Sequence, residues 1–70
     1  MKINIEYCMQ WNYEPNAFRA RDRIAEKHDA CVTLTASGGG KFEITVAGRL
    51  AFSKKATGRF PTDTEIDEIT

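Results

Sequence analysis

Four short stretches of this chain alternate apolar and polar residues, and that pattern limits the available folds more than composition does. Ile3, Ile5 and Tyr7 share one parity against Lys2, Asn4 and Glu6. Val32, Leu34 and Ala36 alternate with Cys31, Thr33 and Thr35, and the pattern returns in Phe42, Ile44 and Val46 and in Leu50 and Phe52. A period of two is that of a strand, and strict alternation means a sheet with one face buried and the other wet. The period changes only between the first two stretches. From Pro15 to about His28, Ala17, Ala20 and Ile24, with Phe18 and Ala25 alongside, form an apolar stripe at helical spacing.

The punctuation between these stretches is equally specific. Ser37-Gly38-Gly39-Gly40 ends the second strand, and Ala47-Gly48 has the length and composition of a two-residue hairpin turn between the third and fourth. Thr62, with Glu65 three residues later, is a capping box that opens a short C-terminal helix carrying Ile66 and Ile69. The order is therefore β-α-β-β-β-α, with the first and second strands parallel across the helical crossover. One buried sheet face requires both helices to lie on it, giving an α/β two-layer sandwich with a four-stranded mixed sheet. Asn4, Glu6, Thr33, Thr35, Glu43 and Thr45 are expected on the open face. The 70 residues are read as a single domain over 1–70, small enough to need every large side chain for its core.

Charge excludes some roles. Ten basic and ten acidic residues cancel, which argues against nucleic-acid or membrane-surface binding driven by net charge. Arg19, Arg21 and Arg23 are interleaved with Asp22 and Glu26 and are read as ion pairs along a helix. The distribution is uneven further on: Arg49, Lys54, Lys55 and Arg59 form a basic segment, followed by Asp63, Glu65, Asp67 and Glu68. No apolar run reaches the roughly 20 residues of a membrane span, and no signal-peptide core is present, so a cytoplasmic, reducing setting with free Cys8 and Cys31 is the expectation. His28, the single histidine, has no companion at metal-ligand spacing, and no metal is expected.

Cys8 carries the chemistry. It stands where the first strand gives way to the segment entering the helix, and that junction is expected to bring N–H donors and the helix dipole toward the sulfur and favour the nucleophilic thiolate. Met9-Gln10-Trp11 follows it, so Trp11 sits where a second cysteine would complete a dithiol motif. Cys31 cannot substitute, because it falls near the start of the parallel neighbouring strand, roughly 15 Å away along the sheet, well beyond disulfide reach.

Ile5-Glu6-Tyr7-Cys8 followed by Tyr13-x-Pro15, then Phe42 through Leu50, Ser53-Lys54-Lys55 and Gly58-Arg59-Phe60-Pro61, together resemble the selenoprotein W-like, or Rdx, family over nearly the whole chain. The resemblance implies a thioredoxin-like fold and a redox motif of Cys-x-x-Cys or Cys-x-x-selenocysteine, of which Cys8 alone is retained. It implies a small thiol-redox protein in which Cys8 forms mixed disulfides with glutathione or protein thiols, at most a monothiol oxidoreductase, with no tightly bound cofactor and glutathione as co-substrate.

Strand directions bring further candidates to Cys8. The fourth strand should run parallel to the first and deliver Lys54 and Lys55 to the same sheet edge, where they can tune the thiol or receive an acidic partner. The glycine turn and the 58–61 segment arrive there as well. Met9, Gln10, Trp11 and Phe60 are candidate contacts for a partner at this edge. Ser37 to Lys41 precedes a strand and lacks the helix N-terminus of a phosphate loop, so it is read as a turn. Two functions stay open: monothiol redox chemistry at Cys8, or a non-catalytic protein-binding module that has lost dithiol activity.

Overall fold

In the computed structural model, which describes Met1–Ile69, the polypeptide forms β1 (Lys2–Cys8), α1 (Glu14–Lys27), β2 (Cys31–Ser37), β3 (Phe42–Val46), β4 (Arg49–Ser53), α2 (Lys54–Thr57) and α3 (Asp63–Asp67). The last residue of the domain expected over 1–70 lies outside the described residues. The strands order as β2-β1-β3-β4, with β1 and β2 parallel and the other pairs antiparallel. This is the four-stranded mixed sheet that the alternation requires, and its topology is thioredoxin-like.

The apolar parities of β1 and β3 meet the helices on one face, and Val32 and Leu34 of β2 pack half-buried beside them, while Ala36 is exposed. Ile3, Ile5, Tyr7, Phe42, Ile44 and Val46 form one cluster with Ala17, Ala20 and Ile24 of α1 and Ile66 of α3. Pro15 enters α1 in its first turn, where a missing N–H costs nothing. Thr62 and Glu65 form the full capping box of α3, each bonding the other's backbone N–H. On the open face the Asn4 amide donates to both Thr33 Oγ1 and Thr35 Oγ1 at 2.9 Å. Glu6 lies directly opposite Glu43, and this like-charge pairing is offset by Lys41 beside Glu6 and the Ser53 hydroxyl donating to Glu43.

Three readings of the sequence are corrected. Leu50 does not share the core with Phe52. The register shifts between Ile44 and Thr45, so that Ile44 faces Phe52 while Thr45 faces Leu50; Ala51 is the extra residue, and Leu50 is left 55% exposed. The order β-α-β-β-β-α omits α2, a single helical turn that carries Lys54 and Lys55 and is closed by Gly58 in the left-handed region (φ 75°). Arg19 and Arg23 find their acids on α3 instead of along α1: Arg19 pairs with Asp63, and Arg23 donates to both Asp67 oxygens at 2.7 and 2.8 Å. Of the helix's own pairs, Arg21 with Asp22 forms. The Arg23 contact holds the Asp67 carboxyl below its ordinary range.

Candidate functional site

The segment after Cys8 reverses sharply. The Asn12 N–H bonds the Met9 carbonyl, Asn12 takes a left-handed φ of 57°, and the Tyr13 N–H returns to the Cys8 carbonyl at 3.2 Å. Asparagine tolerates that conformation better than other side-chain-bearing residues, which is why the turn can close there. From the other side the glycine turn is stitched on: Cys8 N–H donates to the Lys41 carbonyl at 2.8 Å, and Met9 N–H to the Ser37 carbonyl at 2.9 Å. Cys8 is thus flanked by two backbone segments.

The sulfur itself is enclosed. By parity Cys8 belongs with Glu6 on the open face, yet it has 0% exposure, because the 9–13 turn and the glycine turn close over the strand end. Nor is it at a helix N-terminus: α1 begins at Glu14, beyond that turn, and its N-cap residue Tyr13 makes no side-chain cap. Cys31 is exposed at the opposite end of the sheet, paired with Lys2 whereas Cys8 pairs with Ser37, and both thiols are free.

What the edge presents is aromatic. Met9 and Trp11 are 48% and 60% exposed. The Trp11 ring lies on Gly40, where a methyl group would fall 2.4 Å from Cζ3, and Gln10 sits beside Gly38. Edge-to-face contacts then run inward, Trp11 to Tyr13 at 6.1 Å between centroids, Tyr13 to Phe60 at 4.8 Å and Phe60 to Phe42 at 5.1 Å. Such pairs add to the stability gained by burial alone. Lys54 Nζ stands 5.4 Å from the Tyr13 ring centre and 5.2 Å from that of Phe60, a cation held by two rings.

The structure therefore brings Met9, Gln10, Trp11, Lys54 and Phe60 together at one edge. Lys55, on the same helical turn as Lys54, points to solvent. The basic segment is partly neutralised, since Arg59 donates to both Glu65 oxygens at 2.6 and 2.9 Å. That bidentate contact, with the Thr62 N–H as a second donor, lowers the Glu65 carboxyl to about 2. Tyr13, Gly40 and Phe42 are the site residues that sequence reasoning missed as site residues. Tyr13 stood in a matching motif beside Pro15, but its ring partners are distant in the chain and no local spacing announces them. Among the described residues no group of acids, cysteines and histidine gathers at metal-binding distance, and no helix is long and apolar enough to cross a membrane.

Comparison with known proteins agrees with this architecture. A model of the Rdx family matches residues 2–69. Mouse selenoprotein W is 29% identical over 59 residues, covering 79% of this chain and 67% of the relative. Bovine migration and invasion enhancer 1 is 30% identical over 69 residues, 97% of this chain; the match spans 60% of that relative's length. Among solved structures, a selenoprotein W-related protein from Vibrio cholerae superposes with a TM-score of 0.84 at 25% identity, covering 97% of this chain and 89% of that one. A protein from Bordetella parapertussis superposes with a TM-score of 0.92 at 22% identity, covering 97% and 90%.

Proposed function

The chain belongs to the Rdx family, and on that premise we propose that it is a protein-binding domain of the family whose contact surface is the edge formed by Met9, Gln10, Trp11, Lys54 and Phe60. One contrast carries the reading: the sulfur that the family's redox motif would use is fully buried, while the residue in the place of its partner, Trp11, is 60% exposed. An indole backed by glycine on one side and open to solvent on the other has already lost most of its freedom, so a partner that covers it gains apolar contact at little further entropic cost. Lys54, anchored over two rings, and Lys55 beside it favour a partner segment that combines acidic and apolar residues. The setting is cytoplasmic and reducing, and no resident cofactor or metal takes part.

The test has two arms. Native protein treated with an aromatic disulfide reagent or with oxidised glutathione should be modified at Cys31 only, as read by peptide mass spectrometry, with Cys8 reacting after denaturation. In the second arm, peptides of acidic and apolar composition selected from a displayed library on the immobilised domain should lose tenfold or more in affinity on Trp11→Ala. Rapid glutathionylation of Cys8 in the native protein, with no Trp11-dependent peptide recovered, overturns the proposal.

Family membership and the convergence of Lys54 on the Cys8 edge favour a second reading, the monothiol one. Here the 9–13 turn swings away and the Cys8 thiolate attacks the disulfide of oxidised glutathione or a protein. A mixed disulfide forms, one thiolate leaves, and a glutathione thiol later resolves the adduct while itself becoming part of a new disulfide.

A further inference from the structure

β2 is an edge strand, and its backbone shows which groups are left over. Cys31 N–H donates to the Met1 carbonyl and the Ser37 carbonyl accepts from Met9 N–H, so the odd residues of β2 direct their peptide groups toward β1. The peptide groups of Val32, Leu34 and Ala36 therefore point outward, away from the sheet, with no strand beyond them. Natural edges are normally guarded by lysine, proline, a bulge or short length. This one is not: Cys-Val-Thr-Leu-Thr-Ala-Ser runs seven residues with no charge, proline or glycine, and its register with β1 is unbroken.

The flank of the layer above is apolar at Phe18 and Ala25 and carries one charge, Arg21, whose guanidinium lies 5.0 Å from the Phe18 ring centre. Arg19 and Arg23 define the side of α1 that faces α3, and α3 lies over β4, where Glu65, Glu68 and Ile69 border Leu50 and Phe52. At 100° per residue, Phe18 and Ala25 fall on the opposite side of α1 and so overhang the β2 edge. Both are exposed, Phe18 at 38%.

From these two features we infer that β2 is the self-association edge of this protein, pairing antiparallel with β2 of a second copy about a two-fold axis through Leu34. The occupant is specified by the sequence of the strand. Val32-Thr33-Leu34-Thr35-Ala36 is palindromic in character about its centre, so a two-fold sets Leu34 against Leu34, Thr33 against Thr35 and Val32 against Ala36, like against like with no charge brought together. This is also the register that uses every outward peptide group of Val32, Leu34 and Ala36. Thr33–Thr35 pairs across the open face are favourable cross-strand neighbours. On the helical side, strand spacing places the two α1 helices about 10 Å apart, the ordinary helix-packing distance, with Phe18, Ala25 and the Arg21 that is stacked on Phe18 and paired with Asp22 between them. The inference is independent of the reading of the Cys8 edge, because Cys8 and Trp11 take no part in it.

The register supplies its own test. Cys31 and Ser37 of the two copies form a directly opposed, non-hydrogen-bonded pair with Cα atoms about 4.5 Å apart, within disulfide range. The full chain should sediment as a dimer, and Ser37→Cys should, under mild oxidation with diamide, give a covalent dimer whose cross-link maps to residues 31 and 37. The wild type, whose two Cys31 residues lie at opposite ends of the paired strands, should give none. Thr33→Lys with Thr35→Lys should yield a folded monomer by circular dichroism and sedimentation, and mixing it with the Thr33→Glu, Thr35→Glu chain should restore a dimer. A wild type that stays monomeric at millimolar concentration, or a cross-link through Cys31 to Cys31, overturns the inference.

Discussion

The indole of Trp11 rests on the backbone of Gly40, close enough that no other residue type fits beneath it. Gly40 has a left-handed φ of 72°, so an alanine there meets both backbone strain and the ring. Gly40→Ala should lower stability by about 1–3 kcal/mol and shift the emission of the single tryptophan toward the red. Gly39→Ala, at φ 70° with open space around it, should show the strain alone and leave the emission unchanged. Equal emission spectra for the two variants would refute the packing of Trp11 on Gly40.

Lys54 and Lys55 separate sharply. Lys54 is held by the Tyr13 and Phe60 rings, and Lys55 is solvated. Thermal unfolding of Lys54→Gln should show a loss of about 0.5–1 kcal/mol, and Lys55→Gln should lie within about 0.5 kcal/mol of the wild type.

Cys8 is fully buried, and its replacement should behave as a core change. Cys8→Ser places a hydroxyl in an enclosed site and should cost about 1–3 kcal/mol in urea unfolding, whereas Cys31→Ser, at an exposed strand start, should cost less than about 0.5 kcal/mol. An unaltered midpoint for Cys8→Ser would show that the sulfur is open to solvent.

Glu65 gives the pH dependence a direction. Arg59 and the Thr62 N–H lower its folded carboxyl to about 2, below the ordinary carboxylate value. A depressed folded value means stability that is complete above the unfolded pKa of roughly 4.3 and is lost as pH falls toward 2. The wild type should therefore lose its margin over Glu65→Gln across that window, and carboxyl NMR should place the Glu65 midpoint near its lower end. Identical acid-unfolding curves for the two proteins would exclude the contact.

Ala47 adopts a left-handed φ of 51° at the first position of the β3–β4 hairpin, with Gly48 at 81° beside it. Two successive positive values fit the turn that matches strand twist, and asparagine is at home in the first of them. Ala47→Asn should raise the melting temperature, with a gain of about 0.5–1 kcal/mol.

The sheet was legible because its signals are local. Alternation assigned Ile3, Ile5 and Phe42 to the core, Asn4 and Thr33 to the open face, and the Thr62–Glu65 spacing foretold its cap. What escaped depends on residues far apart in sequence. The register shift at Ala51 turned Leu50 outward against a regular pattern. The acids that receive Arg19 and Arg23 sit 44 residues away on α3. The ring series from Trp11 to Phe42 and the burial of Cys8 both arise where separate loops meet, and no spacing within one loop encodes the meeting.

The misregister at Ala51 also makes the two margins of the sheet unlike. β4 is short, kinked and begins with Arg49, so it offers a poor template for a further strand, whereas β2 is straight and uncharged. Growth through β2 alone joins two molecules and then stops, leaving no growing end. The kink is what keeps an unguarded strand from seeding a fibre.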